Sequence, residues 1–336
     1  MRILVTGGAG YIGSRTASLL AAEGHDVVAF DDLSTGHRGA IGGLPLVVGD
    51  VRDEALIAAT LAEHRIDAAV HFAALKSVEA STADPGAYFE TNVGGTIALL
   101  RAMVRSGVGR LVFSSSCAVY GVPDSLPVGE GAPVRPMNPY GESKLLAERL
   151  LPWFEGAHGI RVAILRYFNA AGAAADGSAG EDWADAPNLV PIVLKVAAGR
   201  LPAIRINGRD HPTPDGTAVR DYIHVLDLAE AHSRALRVIE ARGGSIVLNV
   251  GTGRGASVLE VLDAARRITS RPIPAVDGPA RVGDPAAVWA DTRRATEVLE
   301  WTPGRTLDDI LESAWRWHTT HPDGYRGVVT PAGSGP

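Results

Sequence analysis

The chain has 336 residues, of which 46% are hydrophobic and 21% charged, and a formal net charge of −6. This suits one large domain, or a main domain with a smaller companion, and leaves ample material for a core. The acidic balance excludes a nucleic-acid footprint, no stretch approaches ~18 uninterrupted apolar residues as a membrane span needs, and one cysteine, Cys117, excludes an intramolecular disulfide.

The opening Met-Arg-Ile-Leu-Val-Thr-Gly-Gly is too short an apolar run for a signal peptide, so a cytoplasmic protein is expected. Residues 2–6 predict a buried strand and 11–23 a helix. Strands are expected at 26–31 and 46–49, a helix at about 53–63, a strand at 68–72, one long helix at 84–106 and a strand at 110–114. A helix at 138–155 and a strand at 161–166 follow. Continuous apolar strands alternating with helices predict an α/β fold, a Rossmann-type doubly wound parallel sheet covered on both faces.

Beyond about residue 170 the pattern changes. Residues 173–186 and 209–216 read as loops, rich in Gly, Ala, Asp and Pro. Helices at about 226–242, 257–269 and 307–319, with short strands near 246–250 and 288–290, predict a smaller mixed α/β region. The expected division is a dinucleotide domain over 1–170, to which about 222–250 return, a substrate region over 171–330, and a disordered tail over 331–336.

Gly7-Gly8-Ala9-Gly10-Tyr11-Ile12-Gly13 follows the first strand and opens the first helix. Glycines there allow a tight turn and close backbone approach to a pyrophosphate facing the helix N-terminus. Asp31 ends the second strand eighteen residues after Gly13, with Asp32 next. A carboxylate at that place accepts from a ribose 2′-OH and repels a 2′-phosphate, which favours NAD over NADP. Another nucleotide, or tight packing alone, is the competing reading. Asp50-Val51 ends the third strand, where Asp50 either meets an adenine edge or caps the next helix. Phe72-Ala73-Ala74 ends the fourth strand beside Lys76, which reaches a ribose or phosphate or else is simply solvated.

Ser114-Ser115-Ser116-Cys117-Ala118 ends the fifth strand, and Tyr140 and Lys144 follow on a helix. Residues four apart share one helix face. A free tyrosine, with a pKa near ~10, is a poor base at neutral pH, and a neighbouring cation favours its phenolate. Tyr140 is thus a candidate to take a proton from a substrate hydroxyl, assisted by Ser116.

From Thr6-Gly7-Gly8 to Trp315-Arg316-Trp317-His318 the chain resembles the extended short-chain dehydrogenase/reductase superfamily. The resemblance rests on His71-Phe72-Ala73, Asn92-Val93-Gly94-Gly95-Thr96, Pro139-Tyr140-Gly141, Arg166-Tyr167-Phe168-Asn169, Asn188-Leu189-Val190-Pro191 and Val219-Arg220-Asp221-Tyr222-Ile223-His224-Val225. It implies bound NAD, Tyr140 as base, Lys144 lowering its pKa, and Ser116 assisting. The implied cofactor positions are Gly7, Gly10, Tyr11, Ile12, Gly13, Asp31, Asp32, Asp50, Val51, Phe72, Ala73, Ala74, Lys76, Asn92, Ser114, Tyr167 and Phe168, with Tyr140 and Lys144. The implied UDP-sugar positions are Asn169, Asn188, Leu189, Asn207, Arg220, Arg281, Asp284 and Val288, with Lys76, Ser116 and Tyr140. No metal is expected.

The activity implied is an NAD-dependent 4-epimerisation between UDP-galactose and UDP-glucose through a 4-keto sugar, extending to N-acetylated UDP-hexosamines. Ala118 stands where dehydratase and decarboxylating relatives carry an acid, which disfavours elimination. Val288 is intermediate in bulk where relatives vary between Tyr and smaller residues, and Asn207 replaces a Phe found near the uracil in some. The competing activities are 4-epimerisation of pentose or uronic acid nucleotides and net sugar-nucleotide dehydrogenation; a non-catalytic NAD sensor is a third reading. The helices at 84–106 and 138–155 match those that pair between subunits in the superfamily, so a homodimer is expected.

Overall fold

The computed structural model describes residues 1–183, 186–241, 243–280 and 284–326. Its first half runs β1 (Arg2–Thr6), α1 (Tyr11–Ala22), β2 (Asp26–Asp31), β3 (Leu46–Val48), α2 (Glu54–Glu63), β4 (Ala68–His71), α3 (Val78–Ala83), α4 (Pro85–Tyr88), α5 (Gly95–Ser106), β5 (Arg110–Ser116), α6 (Pro139–His158) and β6 (Arg161–Tyr167). The second runs β7 (Asn169–Ala171), α7 (Leu189–Ala197), β8 (Ile204–Asn207), β9 (Val219–Arg220), β10 (Tyr222–His224), α8 (Val225–Ala241), β11 (Ile246–Val250), β12 (Ala256–Ser257), α9 (Val258–Thr269), β13 (Ala275–Gly278), β14 (Ala287–Val288), α10 (Arg293–Leu299) and α11 (Leu307–Thr320).

Seven parallel strands form the main sheet in the order β11-β6-β5-β4-β1-β2-β3. Strand order reverses between β1 and β4, and the crevice at their carboxyl ends is where open α/β sheets bind ligands. Successive residues of each strand serve opposite faces. Ile3, Val5, Val70 and Val112 pack with Leu20 of α1 and Ala231 and Leu236 of α8. Leu4, Ala69, Leu111 and Phe113 pack with Ile57 of α2, Leu99 and Met103 of α5 and Ala147 of α6. Each fully buried large side chain contributes about 2 kcal/mol. A separate core joins α7, α9, α11 and β8 through Val193, Leu194, Ile204, Val261 and Leu311. The fold class is as expected from the sequence.

Several boundaries differ. The single helix expected at 84–106 is present from Pro85 to Ser106, with one irregularity inside it. Asp84, at φ −136°, caps α4 by accepting from the Ala87 amide, with Pro85 as the first helical residue. A π-helical turn, Phe89–Gly94, precedes α5. Residues 173–183 have no helix or strand, as expected, yet this loop is largely buried, Ala173 and Trp183 included. The short strands β7 to β10, β12 and β13 and helices α3, α7 and α10 were not anticipated; the strands, of two to four residues, carry too little alternation to read. The tail at 331–336 lies outside the described residues, and no described helix is long and apolar enough to cross a membrane.

Candidate active site

The glycine loop is compressed between β1, β4 and α1. Gly7 has φ +68°, and a Cβ there would meet the Ala73 amide nitrogen at 2.6 Å. A Cβ on Gly13 would lie 2.1 Å from the Gly7 carbonyl oxygen. The N-cap of α1 is Gly10, which offers no side-chain cap, and the first turn holds no acid. The first amides of α1 are therefore left for an anion at the positive end of the helix.

Asp31 is buried at the end of β2. Its Oδ2 accepts from the Ala9 amide and its Oδ1 from the Leu33 amide, both at 2.9 Å. Burial raises its pKa, and these amides oppose the rise. One cavity is lined by Gly7, Gly10, Tyr11, Ile12, Gly13, Asp31, Asp32, Val51, Phe72, Ala73, Ala74, Lys76, Tyr140, Lys144 and Tyr167. A side-chain-free cradle, open helix amides and a carboxylate one strand away fit a dinucleotide.

Ser116 is the last residue of β5. Its Oγ accepts from the Ala118 amide at 3.2 Å and caps the 3-10 turn Cys117–Tyr120. Tyr140 enters on the first turn of α6, whose N-cap Asn138 accepts from the Gly141 amide at 2.9 Å. Burial pushes the Tyr140 phenol up to about 12, opposed by a hydrogen bond with the Ser116 side chain. Lys144 was expected to be the group that lowers Tyr140. Its Nζ donates to the Ser114 carbonyl at 3.0 Å, and burial brings it down to about 8 against the charge of Glu148. Tyr167 is also raised by burial and bonds the Ser114 side chain. The Ser114 hydroxyl lies 2.9 Å from His232 Nε2. His232 Nδ1 donates to the Leu228 carbonyl at 2.8 Å, which leaves Nε2 as the acceptor, and its ring lies 4.6 Å from that of Phe72.

Asn92, Asp50, Phe168 and Ser114 lie off the cavity wall. Asn92, in the π turn, accepts from the Leu75 amide at 2.8 Å and donates to the Leu75 carbonyl at 3.0 Å and Ser143 Oγ at 2.9 Å. It shapes the loop before α3. Asp50 does not cap α2: Asp53 does, by accepting from the Leu56 amide, while Asp50 is paired with exposed Arg52 at 2.5 Å. The Phe168 side chain packs with Val119, Leu145 and Val288. Lys76 lines the cavity with its Nζ 3.4 Å from the buried Glu181 carboxylate.

The expected sugar-nucleotide residues are spread over β7, α7, β8, β9 and the segment before and within β14. Arg220 Nη2 is 2.5 Å from Asp284 Oδ1, and Val288 pairs with Arg220 in register between β14 and β9. Arg220 is near enough to Cys117 to oppose the rise that burial imposes on its thiol, which reaches about 12. Asn169 opens β7, with its amide donating to the Asp221 carbonyl at 2.9 Å. Asn188 caps α7 without a side-chain bond to the helix and instead bonds the Glu181 carboxylate; Leu189 follows against the third core. Asn207 ends β8, its carbonyl 3.4 Å from His211 Nε2. Arg281 lies outside the described residues.

The sequence reading missed His37, Gly180, Glu181, Asp182 and Tyr325, which line the dinucleotide cavity. The signal available was a Glu181-Asp182-Trp183 run, with Asp176 and Asp185, inside a segment otherwise of Ala, Gly and Ser, charged and aromatic where a plain linker needs neither.

Comparison with known proteins places this geometry in context. The family described as "NAD dependent epimerase/dehydratase family" matches residues 3–251. The chain is 47% identical over 327 residues to the UDP-glucose 4-epimerase of Lacticaseibacillus casei, covering 97% of this chain and 99% of that one. It is similar to the solved UDP-glucose-4-epimerase of Stenotrophomonas maltophila with bound NAD and formylated UDP-arabinopyranose, at TM-score 0.93, 44% identity, and 96% and 99% coverage. It is likewise similar to the Bifidobacterium longum UDP-glucose 4-epimerase in complex with NAD+ and UDP, at TM-score 0.92, 41% identity, and 96% and 100% coverage.

Proposed function

The chain belongs to the NAD dependent epimerase/dehydratase family, and from that premise we infer that it interconverts UDP-galactose and UDP-glucose by NAD-dependent 4-epimerisation. It is an isomerase, and NAD is its cofactor. The observation that carries this reading is that Tyr140, close enough to Ser116 for that side chain to oppose the rise burial imposes on its phenol, lines with Lys144 the cavity that the glycine loop also lines.

When bound, NAD supplies a reversible hydride acceptor at sugar C4. Tyr140 takes the O4 proton and returns it after the 4-keto sugar has turned over. Ser116 holds O4 and Tyr140 in one hydrogen-bonded set and opposes the rise that burial imposes. Lys144, anchored on the Ser114 carbonyl, keeps a cation one helical turn from Tyr140. Arg220, facing Asp284, is the cation for the UDP phosphates, since a guanidinium binds such oxygens bidentately. Asn169, Asn188, Leu189, Asn207 and Arg281 complete the proposed sugar-nucleotide set. Ala118 leaves no acid for elimination.

Valine at 288 supports some turnover of UDP-N-acetylglucosamine, because it is smaller than an aromatic side chain at that place; turnover lower by several orders than with UDP-glucose would end that idea. Residues 1–170 with about 222–250 are proposed to bind the dinucleotide, and 171–330 mainly the sugar nucleotide. A homodimer is proposed through α5 and α6. The support is a stripe of Leu146, Leu150 and Trp153 on one face of α6, where Trp153 is 78% exposed. A cytoplasmic location is proposed on the lone cysteine, which leaves no intramolecular disulfide.

The test is incubation of purified protein with UDP-galactose and no added NAD, with products followed by chromatography and by absorbance at the NADH band. UDP-glucose without accumulated NADH is expected. Accumulated NADH would make it a dehydrogenase instead.

A further inference from the structure

The dinucleotide crevice of an open α/β sheet lies at the strand ends, and its outer rim faces solvent unless something covers it. Here the rim is covered from far along the chain. Tyr325 stacks on His37 with ring centroids 4.7 Å apart and planes 21° from parallel. His37 belongs to the loop after β2, and its amide donates to the Ala9 carbonyl of the glycine loop at 2.9 Å. Its Nε2 lies 3.1 Å from Asp182 Oδ2.

The Tyr325 hydroxyl donates to the Gly180 carbonyl at 3.0 Å and accepts from the Gly180 amide at 3.1 Å. Trp317 backs this turn: its Nε1 donates to the Glu181 carbonyl at 3.0 Å and its ring lies 4.9 Å from Tyr325. A Cβ on Gly180 would meet the Trp317 ring at 2.5 Å, so the turn seats only as glycine. Gly180, Glu181, Asp182, His37 and Tyr325 line the cavity that the glycine loop lines.

We infer that residues 180–182 and Tyr325 form a clasp on His37 across the dinucleotide pocket, and that opening this clasp sets the rate at which bound NAD leaves. The inference rests on the reading of that pocket as the NAD site. It is distinct from the chemistry, because none of the three parts belongs to the proton-transfer group. The clasp is also dispensable to the cycle: 4-epimerisation regenerates the cofactor on the protein, so slow release does not limit turnover. Although the 180–182 turn is itself buried, the clasp's hold on His37 is one ring stack and one polar contact. Such parts open locally without global unfolding.

The experiment measures NAD release from the full-length holoprotein. Protein as purified is mixed with an excess of an NAD-consuming dehydrogenase and its substrate as trap. The release rate is followed, and nucleotide content after gel filtration is read by acid release and chromatography. His37→Ala removes the stack and the Asp182 contact from one side; Tyr325→Phe keeps the ring and removes both bonds to Gly180. Release is expected to quicken about tenfold or more in His37→Ala and several-fold in Tyr325→Phe, since lost interface contacts act chiefly on the off-rate. Both should lose nucleotide on gel filtration and regain turnover when NAD+ is added.

Because the two variants act from opposite sides, misfolding of one leaves the other decisive. Release within about twofold of the parent in a folded variant overturns the clasp. A parent that carries and binds no dinucleotide at all overturns the clasp together with the NAD reading beneath it.

Discussion

Glu148 and Arg166 form a buried bidentate ion pair, with Arg166 Nε 3.0 Å from Oε1 and Nη2 2.5 Å from Oε2. Glu148 stands one helical turn beyond Lys144 on α6, and Arg166 immediately precedes Tyr167 on β6. Ser115, beside Ser116, donates its hydroxyl to the same carboxylate. Arg166 also donates to the Tyr120 hydroxyl at 3.1 Å, and Tyr120 donates to Asn249 of β11 at 2.7 Å. The pair therefore locks α6 to the strand ends that carry the proposed proton-transfer group. Arg166→Met leaves a buried carboxylate uncompensated and should cost about 3–5 kcal/mol in urea unfolding. The double change with Glu148→Leu should recover most of that loss.

Tyr140→Phe removes one oxygen from a buried ring and should leave melting close to that of the parent. It should lower kcat by about 10²–10⁴-fold, the range assigned to a positioned acid–base group. Bound NAD, measured after acid release, should stay near parental content. Full turnover in this variant would show the base to be elsewhere.

His71, His224, His232 and His318 are each depressed by burial, to about 3, 4, 4 and 3. Between those values and the ordinary 6.5 the folded form stays neutral while the unfolded chain takes the proton. Stability is thus fullest above about pH 6.5 and is lost as pH falls toward 4. The slope approaches on the order of 1 kcal/mol per histidine per pH unit. Urea midpoints measured from pH 7 to pH 5 should drop steeply, and His71→Gln should flatten the drop. A flat profile would contradict neutral burial.

Gly13→Ala places a methyl 2.1 Å from the Gly7 carbonyl oxygen, a contact that backbone alone must relieve. Nucleotide content should collapse more than stability does, because the displaced loop is the cradle itself. Equilibrium binding of NAD to the purified variant checks this.

Trp153→Asp puts a charge on the exposed stripe of α6. Light scattering should report a dimer for the parent and a monomer for the variant at micromolar concentration. A parental monomer would remove the proposal.

The sheet was legible because each of its long strands is a continuous apolar run between helical patterns, as in Ile3-Leu4-Val5 and Leu111-Val112-Phe113. Spacing alone brought Tyr140 and Lys144 onto one face. What spacing could not convey was which partner each group takes. Lys144 meets a backbone carbonyl, and Asp50 yields the cap to Asp53 because that residue lies one place before the first helical position. The π turn inside the helix at 85–106 holds Asn92, whose side chain binds Leu75, a contact across seventeen residues. His37 and Tyr325 meet across still more chain, and no local pattern encodes that stack.

The edge strand β11 has a bearing on how the chain is made. It pairs with β6 from Ile246↔Ala163 to Val250↔Tyr167, yet about eighty residues of other structure are synthesised between them. A nascent chain that has emerged only through β6 carries an open, apolar sheet edge, the kind of surface that invites wrong pairing. Completion of the seven-stranded sheet must wait until residue 250 has left the ribosome, and pairing so distant in sequence is intrinsically slow. Chains terminated near residue 170 should accumulate as aggregates, while those extended past 250 should gain solubility in one step.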